Sequence, residues 1–233
     1  MNENFDFDCF LFIGYEKFSI SISQNVSLKE VYKKEIKSDN SDKLNLGLLN
    51  DFLEDNIFKV EKILNNFLNN THIILDHSAF FSVEISLKKE NYGNIISDES
   101  LIYLLNDAKD QCKNSFQNKK IIHMIIDNYL VDDQNFSKKP ENLKCRDFSL
   151  DIRFICLPEK IIEDLKRILK KYQISLNRIV NANYAKQLSA EQNQNLFEMS
   201  SKILNGFNQN EILFKDKIDK NKGFFEKFFN IFG

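Results

Sequence analysis

Two hydrophobic periods take turns through residues 80–180, and together they leave few folds open. Phe81, Val83, Ile85 and Leu87 occupy every second position, as do Phe148, Leu150, Ile152, Phe154 and Cys156 against Ser149, Asp151 and Arg153. A period of two sets one row of side chains on a single face of a strand, so both segments read as half-buried strands. Between and after them the period becomes helical. Ser97-Asp98-Glu99-Ser100 offers a cap ahead of the stripe Leu101, Leu104, Leu105, Ala108 and Cys112. Pro158 opens a second helix whose expected face is Ile161, Leu165, Ile168, Leu169 and Tyr172. Residues 120–131 add a strand with Ile122, Met124, Ile126 and Leu130 on its apolar face, and 174–180 return as another. The order is β-α-β-β-α-β, a small α+β module.

The flanks read as a larger α/β frame around that module. Residues 9–13 and 18–23 form an expected hairpin about Gly14-Tyr15-Glu16-Lys17, and 28–36 a third strand. Residues 44–70 carry a helical stripe of Leu49, Leu53, Ile57, Val60, Leu64 and Phe67 or Leu68, with Asn69-Asn70 as the expected stop. Ile73-Ile74-Leu75 is a continuous apolar run, the mark of a strand covered on both faces. After Asn183 a helix is expected over 190–204, with Leu196, Met199 or Ser200, Ile203 and Phe207 on one face and Gly206 ending it. Residues 208–220 read as a polar linker to the last segment.

That last segment, 221–233, is a second constraint. At about 100° per residue, Phe224, Phe225, Phe228, Phe229 and Phe232 share one side of a helix, opposite Glu226, Lys227 and Asn230. Lys217, Lys220 and Lys222 precede them. Five rings beside lysines suit an anionic membrane surface, with Lys222 and Lys227 joining the rings as the expected lipid-binding set. Half-burial of five rings is worth about 4–7 kcal/mol, a reversible anchor that several copies acting together would strengthen. Docking on the chain's own core or in a partner's groove are the other two places such a face can go.

Composition removes several functions. A net charge of −2 leaves no nucleic-acid footprint. Arginine is confined to Arg146, Arg153, Arg167 and Arg178, which disfavours bidentate phosphate clamps. Cys9, Cys112, Cys145 and Cys156 lack metal-ligand spacing and read as reduced and buried. The acidic start (Glu3, Asp6, Asp8) is unlike a secretory signal, and no apolar run reaches the length of a spanning helix. Asp76-His77-Ser78 holds the letters of a hydrolytic triad, but consecutive residues cannot converge as a relay, so a polar loop is expected. His123 is expected on the polar side of its strand near Asp127, with no metal site. Catalytic residues, metals and cofactors are all expected to be none, and the chain is not expected to be an enzyme.

The order of elements resembles the N-terminal half of the FtsA family of bacterial actin-like cell-division proteins. KKIIHMIIDNYLVDD at 119–133 stands where that family has a strand ending in P-x-x-Y-x-x-D. CRDFSLDIRFICLPEKIIEDLKRILKKYQISLNRIVNANYA at 145–185 stands where it runs strand, helix, strand and small residues. The terminal Phe-rich helix is similar to the family's membrane-targeting sequence. The resemblance implies a partial actin-like (ribonuclease H-like) domain with an inserted β-α-β-β-α subdomain and a C-terminal amphipathic helix. Its parts would be 1–78 and 173–207 for the actin-like domain, 79–172 for the insert, 208–220 for the linker and 221–233 for the membrane helix. Where the family's first phosphate hairpin reads Asp-Ile-Gly-Thr, this chain has Phe12-Ile13-Gly14-Tyr15, and the second glycine-rich hairpin and its half-domain are missing. The resemblance therefore implies a non-catalytic adaptor on the cytoplasmic face of the membrane at the division site. Its partners would be anionic lipid, division proteins such as FtsZ or inner-membrane divisome components, and further copies of itself. An ATPase half completed by another chain, or a PilM-like pilus-assembly scaffold, is the alternative.

Overall fold

Phe7–Ile13 (β1) and Lys17–Gln24 (β2) pair antiparallel from Phe7 opposite Gln24 to Ile13 opposite Phe18, the expected hairpin. Glu30–Lys37 (β3) pairs antiparallel on β2. Asn70–Leu75 (β4) lies parallel to β1, and Ser175–Asn181 (β9) parallel to β4, so the sheet runs β3-β2-β1-β4-β9. The computed structural model describes residues 7–24, 30–38 and 44–213. This mixed sheet, three antiparallel strands beside two parallel ones, is the α/β frame expected from the sequence. Its middle is buried on both faces: Phe10, Leu11, Phe12 and Ile13 are at most 4% exposed, and Ile73, Ile74 and Leu75 are 0%.

Helices cover this sheet. Leu46–Leu64 (α1) turns Leu49, Phe52, Leu53, Ile57 and Val60 inward and packs on β2 and β3. It stops at Asn65, whose left-handed conformation (φ 50°) ends the helix before the expected Asn69-Asn70, and Asn70 already opens β4. Phe67, at the far end of the expected stripe, is exposed, and Leu68 is buried in its place. The single helix expected over 190–204 is two, Ala182–Gln192 (α4) and Leu196–Leu204 (α5). Asn193 breaks the run in a left-handed conformation, and the Asn195 side chain caps α5 by accepting from the Glu198 amide at 2.9 Å. Leu196, Phe197 and Leu204 of α5 pack against Phe10, Phe12, Ile74 and Ala182.

The inserted unit has its own sheet, ordered β5-β8-β6-β7, from Phe81–Ile95 (β5), Lys144–Pro158 (β8), Lys119–Val131 (β6) and Gln134–Phe136 (β7). Asp98–Ser115 (α2) starts at Ser97, which accepts from the Ser100 amide at 3.1 Å, and buries the expected Leu101, Leu104, Leu105, Ala108 and Cys112. Phe148, Leu150, Ile152, Phe154 and Cys156 of β8 form the core row, as their alternation requires. On β6 the core row is Met124 and Ile126, then shifts by one to Tyr129 and Val131 in place of Leu130.

Two boundaries differ from expectation. The chain divides into 7–80 with 158–205, and 81–157 with 206–213, so the insert ends at Leu157 and not at 172. The reason is Glu159–Lys170 (α3), which packs on β9 with Ile162, not Ile161, leading its buried face. Just beyond it, the Tyr172 hydroxyl donates to the Asn50 carbonyl of α1 at 2.9 Å. The expected linker also begins later than 208. Ile126 N–H donates to the Asn210 carbonyl at 2.9 Å and Ile212 N–H to that of Met124 at 2.8 Å, so 210–212 is laid along β6.

Candidate ligand site at the strand ends

In an open α/β sheet, ligands settle in the crevice beyond the carboxyl ends of the parallel strands. Here that place is built from the first unit alone: Ile13 ends β1, Leu75 ends β4 and Asn181 ends β9. The Asp76 amide donates to the Ile13 carbonyl at 2.8 Å, which draws the 76–80 loop against the β1–β2 turn. Gly14 closes that turn by donating to Lys17 O at 3.0 Å. A Cβ on Gly14 would meet the Phe12 ring at 2.9 Å, closer than carbon atoms approach, so glycine is what lets the ring lie there. Phe12 itself is buried with Phe10, Ile74 and Ala182.

The polar groups at these ends bind one another. Tyr15 Oη lies 2.7 Å from Ser78 Oγ and accepts from the Ser78 amide at 3.0 Å. The Tyr15 ring tilts over His77, centroids 5.3 Å apart. His77 Nδ1 accepts from the Ala79 amide at 3.0 Å, and burial holds its pKa below the ordinary value although the Asp76 carboxylate pulls the other way. Asp76 meets Lys186 of α4 at 2.6 Å. The Asn181 side chain caps α4 through the Tyr184 amide at 2.8 Å. Asp76, His77 and Ser78 thus face three separate partners and form no proton relay, which agrees with the polar loop expected from sequence. Sequence reasoning missed Lys186 and the Tyr15–Ser78 contact; neither has a periodic signal, and only the bulky Tyr15 in a phosphate-type turn hinted at the second.

Elsewhere the structure changes one expected environment. His123 lies on the Asp127 side of β6, opposite Met124 and Ile126, but it is buried there, its Nδ1 2.7 Å from Glu211 Oε1 and both side chains 3% exposed. The docked 210–212 segment covers it. Asp127 instead takes both guanidinium arms of Arg153, at 2.8 and 2.9 Å. All four cysteines are free and buried, and burial pushes Cys9 and Cys156 up to about 12, which leaves them as thiols. No group of three metal-ligating side chains occurs among the described residues, and no helix among them is long and apolar enough to cross a membrane. Phe224, Phe225, Phe228, Phe229, Phe232, Lys222 and Lys227 lie outside the described residues.

No protein-family model matches the sequence, and no curated protein is significantly similar to it. Solved structures do resemble it. The cytoplasmic domain of EpsL, an inner-membrane component of the type II secretion system of Vibrio cholerae, is 9% identical, with 77% of this chain and 57% of that one covered and a TM-score of 0.37. The PilM–PilN type IV pilus biogenesis complex gives 7% identity, 80% and 50% coverage and a TM-score of 0.41. A Bacteroides thetaiotaomicron protein described as having an actin-like ATPase fold gives 11%, 81% and 58%, and 0.33. The chain spans half to three-fifths of the length of these structures.

Proposed function

We propose that this chain is a non-catalytic, actin-like scaffold that attaches a bacterial envelope machine to the inner face of the cytoplasmic membrane. The observation that carries this reading is the self-satisfied strand-end site. Phe12 lies buried where an acid would approach a metal–phosphate, Tyr15 is bound to Ser78, and Asp76 to Lys186. Phosphate chemistry needs backbone amides and a cation-holding carboxylate presented to the ligand. In this chain the Ser78 amide is taken by Tyr15, the Gly14 amide by the Lys17 carbonyl, and the Asp76 carboxylate by Lys186.

Titration of the full chain with Mg-ATP checks the non-catalytic half of the proposal: no saturable heat is expected, and micromolar binding would overturn it. Binding that arises only when a second chain is added favours the split-ATPase alternative. The membrane half rests on the Phe224–Phe232 pattern with its lysines. The full chain is expected to float with anionic liposomes and a chain ending at Asp219 to stay behind; equal flotation removes the anchor. Within envelope machines we place it in cell division, with division proteins such as FtsZ or inner-membrane divisome components as partners, on the strength of its FtsA-like element order. Tagged chain gathered at septa supports that assignment, and tagged chain at pilus or secretion sites transfers it to a PilM-like scaffold.

A further inference from the structure

β5 ends the sheet of the inserted unit, and its exposed edge has a feature that a merely solvated edge does not need. Twelve of its fifteen residues pair with β8 on one side, all but Asn91, Tyr92 and Gly93 at a register shift, and among the described residues no strand pairs on the other. The core-facing row of β8 is at most 1% exposed, whereas Phe81, Val83, Ile85 and Leu87 of β5 are only partly buried against the same core. An apolar layer thus continues to the edge and stops half covered. The opposite row is Ser82, Glu84, Ser86, Lys88 and Glu90, all exposed.

We propose that this edge pairs antiparallel with β5 of a second copy of the chain, about a two-fold axis through Ser86. The occupant follows from the residues. A two-fold normal to the sheet keeps both apolar rows on one face and allows only registers in which like-numbered residues meet at the centre. Centring on Glu84 sets Glu84 against itself. Centring on Leu87 sets Glu84 against Glu90, and centring on Lys88 sets Lys88 against itself. Centring on Ile85 opposes no like charges but pairs no opposite ones, whereas centring on Ser86 sets Glu84 opposite Lys88 twice, and Ile85 opposite Leu87 twice, with no like charges opposed. Lys88 already reaches Asp147 at 2.8 Å, but its side chain is 63% exposed and open to a second carboxylate. This inference stands apart from the nucleotide and membrane readings above, since it uses only the sheet edge.

Sedimentation of the full chain in lipid-free buffer tests it, with circular dichroism confirming that each variant folds. The intact chain is expected to be a reversible dimer. Glu84→Lys and Lys88→Glu should each weaken it by about tenfold, and the double exchange should restore it. Ser86→Cys, with the native cysteines all buried, should be joined into dimers by a short bismaleimide. Ser82→Cys should not, because eight residues of extended strand, about 26 Å, separate the two copies. A monomeric intact chain, as would result if its own residues 214–233 or another protein took the edge, overturns the proposal. So does failure of the double exchange to restore the dimer, or equal cross-linking at 82 and 86.

Discussion

The two sheets of this chain solve the same problem in opposite ways. In the first unit, β1 and β4 are apolar at every consecutive position from Cys9 to Ile13 and from Ile73 to Leu75, and helices leave neither face to water. In the inserted unit, β5 and β8 alternate, so one row meets α2 and the other is free for Glu84, Lys88, Asp151 and Arg153. A sheet covered twice has little surface with which to meet a partner. A sheet covered once keeps a face and an edge that can be lettered with charge.

Truncation should expose that difference most strongly. Ile74→Ala in the doubly covered sheet should cost about 3–4 kcal/mol by denaturant unfolding, and Ile85→Ala on the half-covered edge about 1–2. Equal costs would break the comparison. Next comes Glu211→Ala, which strips the carboxylate from buried His123 and should destabilise the inserted unit by about 2–3 kcal/mol while leaving the first unit's hydrogen-exchange protection intact.

A buried histidine of the first unit sharpens the contrast through pH. His72 stacks on Phe10 with centroids 5.2 Å apart, and its buried Nδ1 has no partner among the described residues. Burial first, and the Arg178 charge second, lower its pKa from 6.5 to about 4. A group that binds its proton less readily folded than unfolded leaves stability intact above its unfolded pKa. Stability then falls as pH drops below about 6.5, and the loss levels off below about 4, amounting to about 3 kcal/mol. Melting of His72→Gln between pH 7 and 4 should show a shallower decline than the parent. The smallest effect belongs to Ser97→Ala, which removes the cap of α2 and should cost about 1 kcal/mol, read as a small fall in the inserted unit's midpoint.

Both sheets were legible because period two and continuous apolar runs are direct images of what a strand buries. Ser97 and the α2 stripe were legible for the same reason at period 3.6. The stops were not. Asn65 and Asn193 end helices in left-handed conformations, yet in so asparagine-rich a chain neither stands out from Asn66, Asn69 or Asn195. The insert's end was hidden because α3 is amphipathic wherever it packs, and its packing on β9 with the Tyr172–Asn50 bond just beyond it sets it with the frame. At the strand ends, Phe12 and Tyr15 in the turn were visible. Their partners were not, since Tyr15 and Ser78 lie 63 residues apart and Asp76 and Lys186 lie 110 apart. His123 and Glu211, 88 residues apart, were lost in the same way, and a polar-looking tail concealed a buried anchor.

That anchor decides how load travels. A pull on the residues after Leu213 reaches the body at 210–212, where the hydrogen bonds to Met124 and Ile126 run crosswise to the chain and the His123–Glu211 pair lies beside them. Tension on the carboxyl end is therefore met first by the inserted sheet, ahead of helix α5.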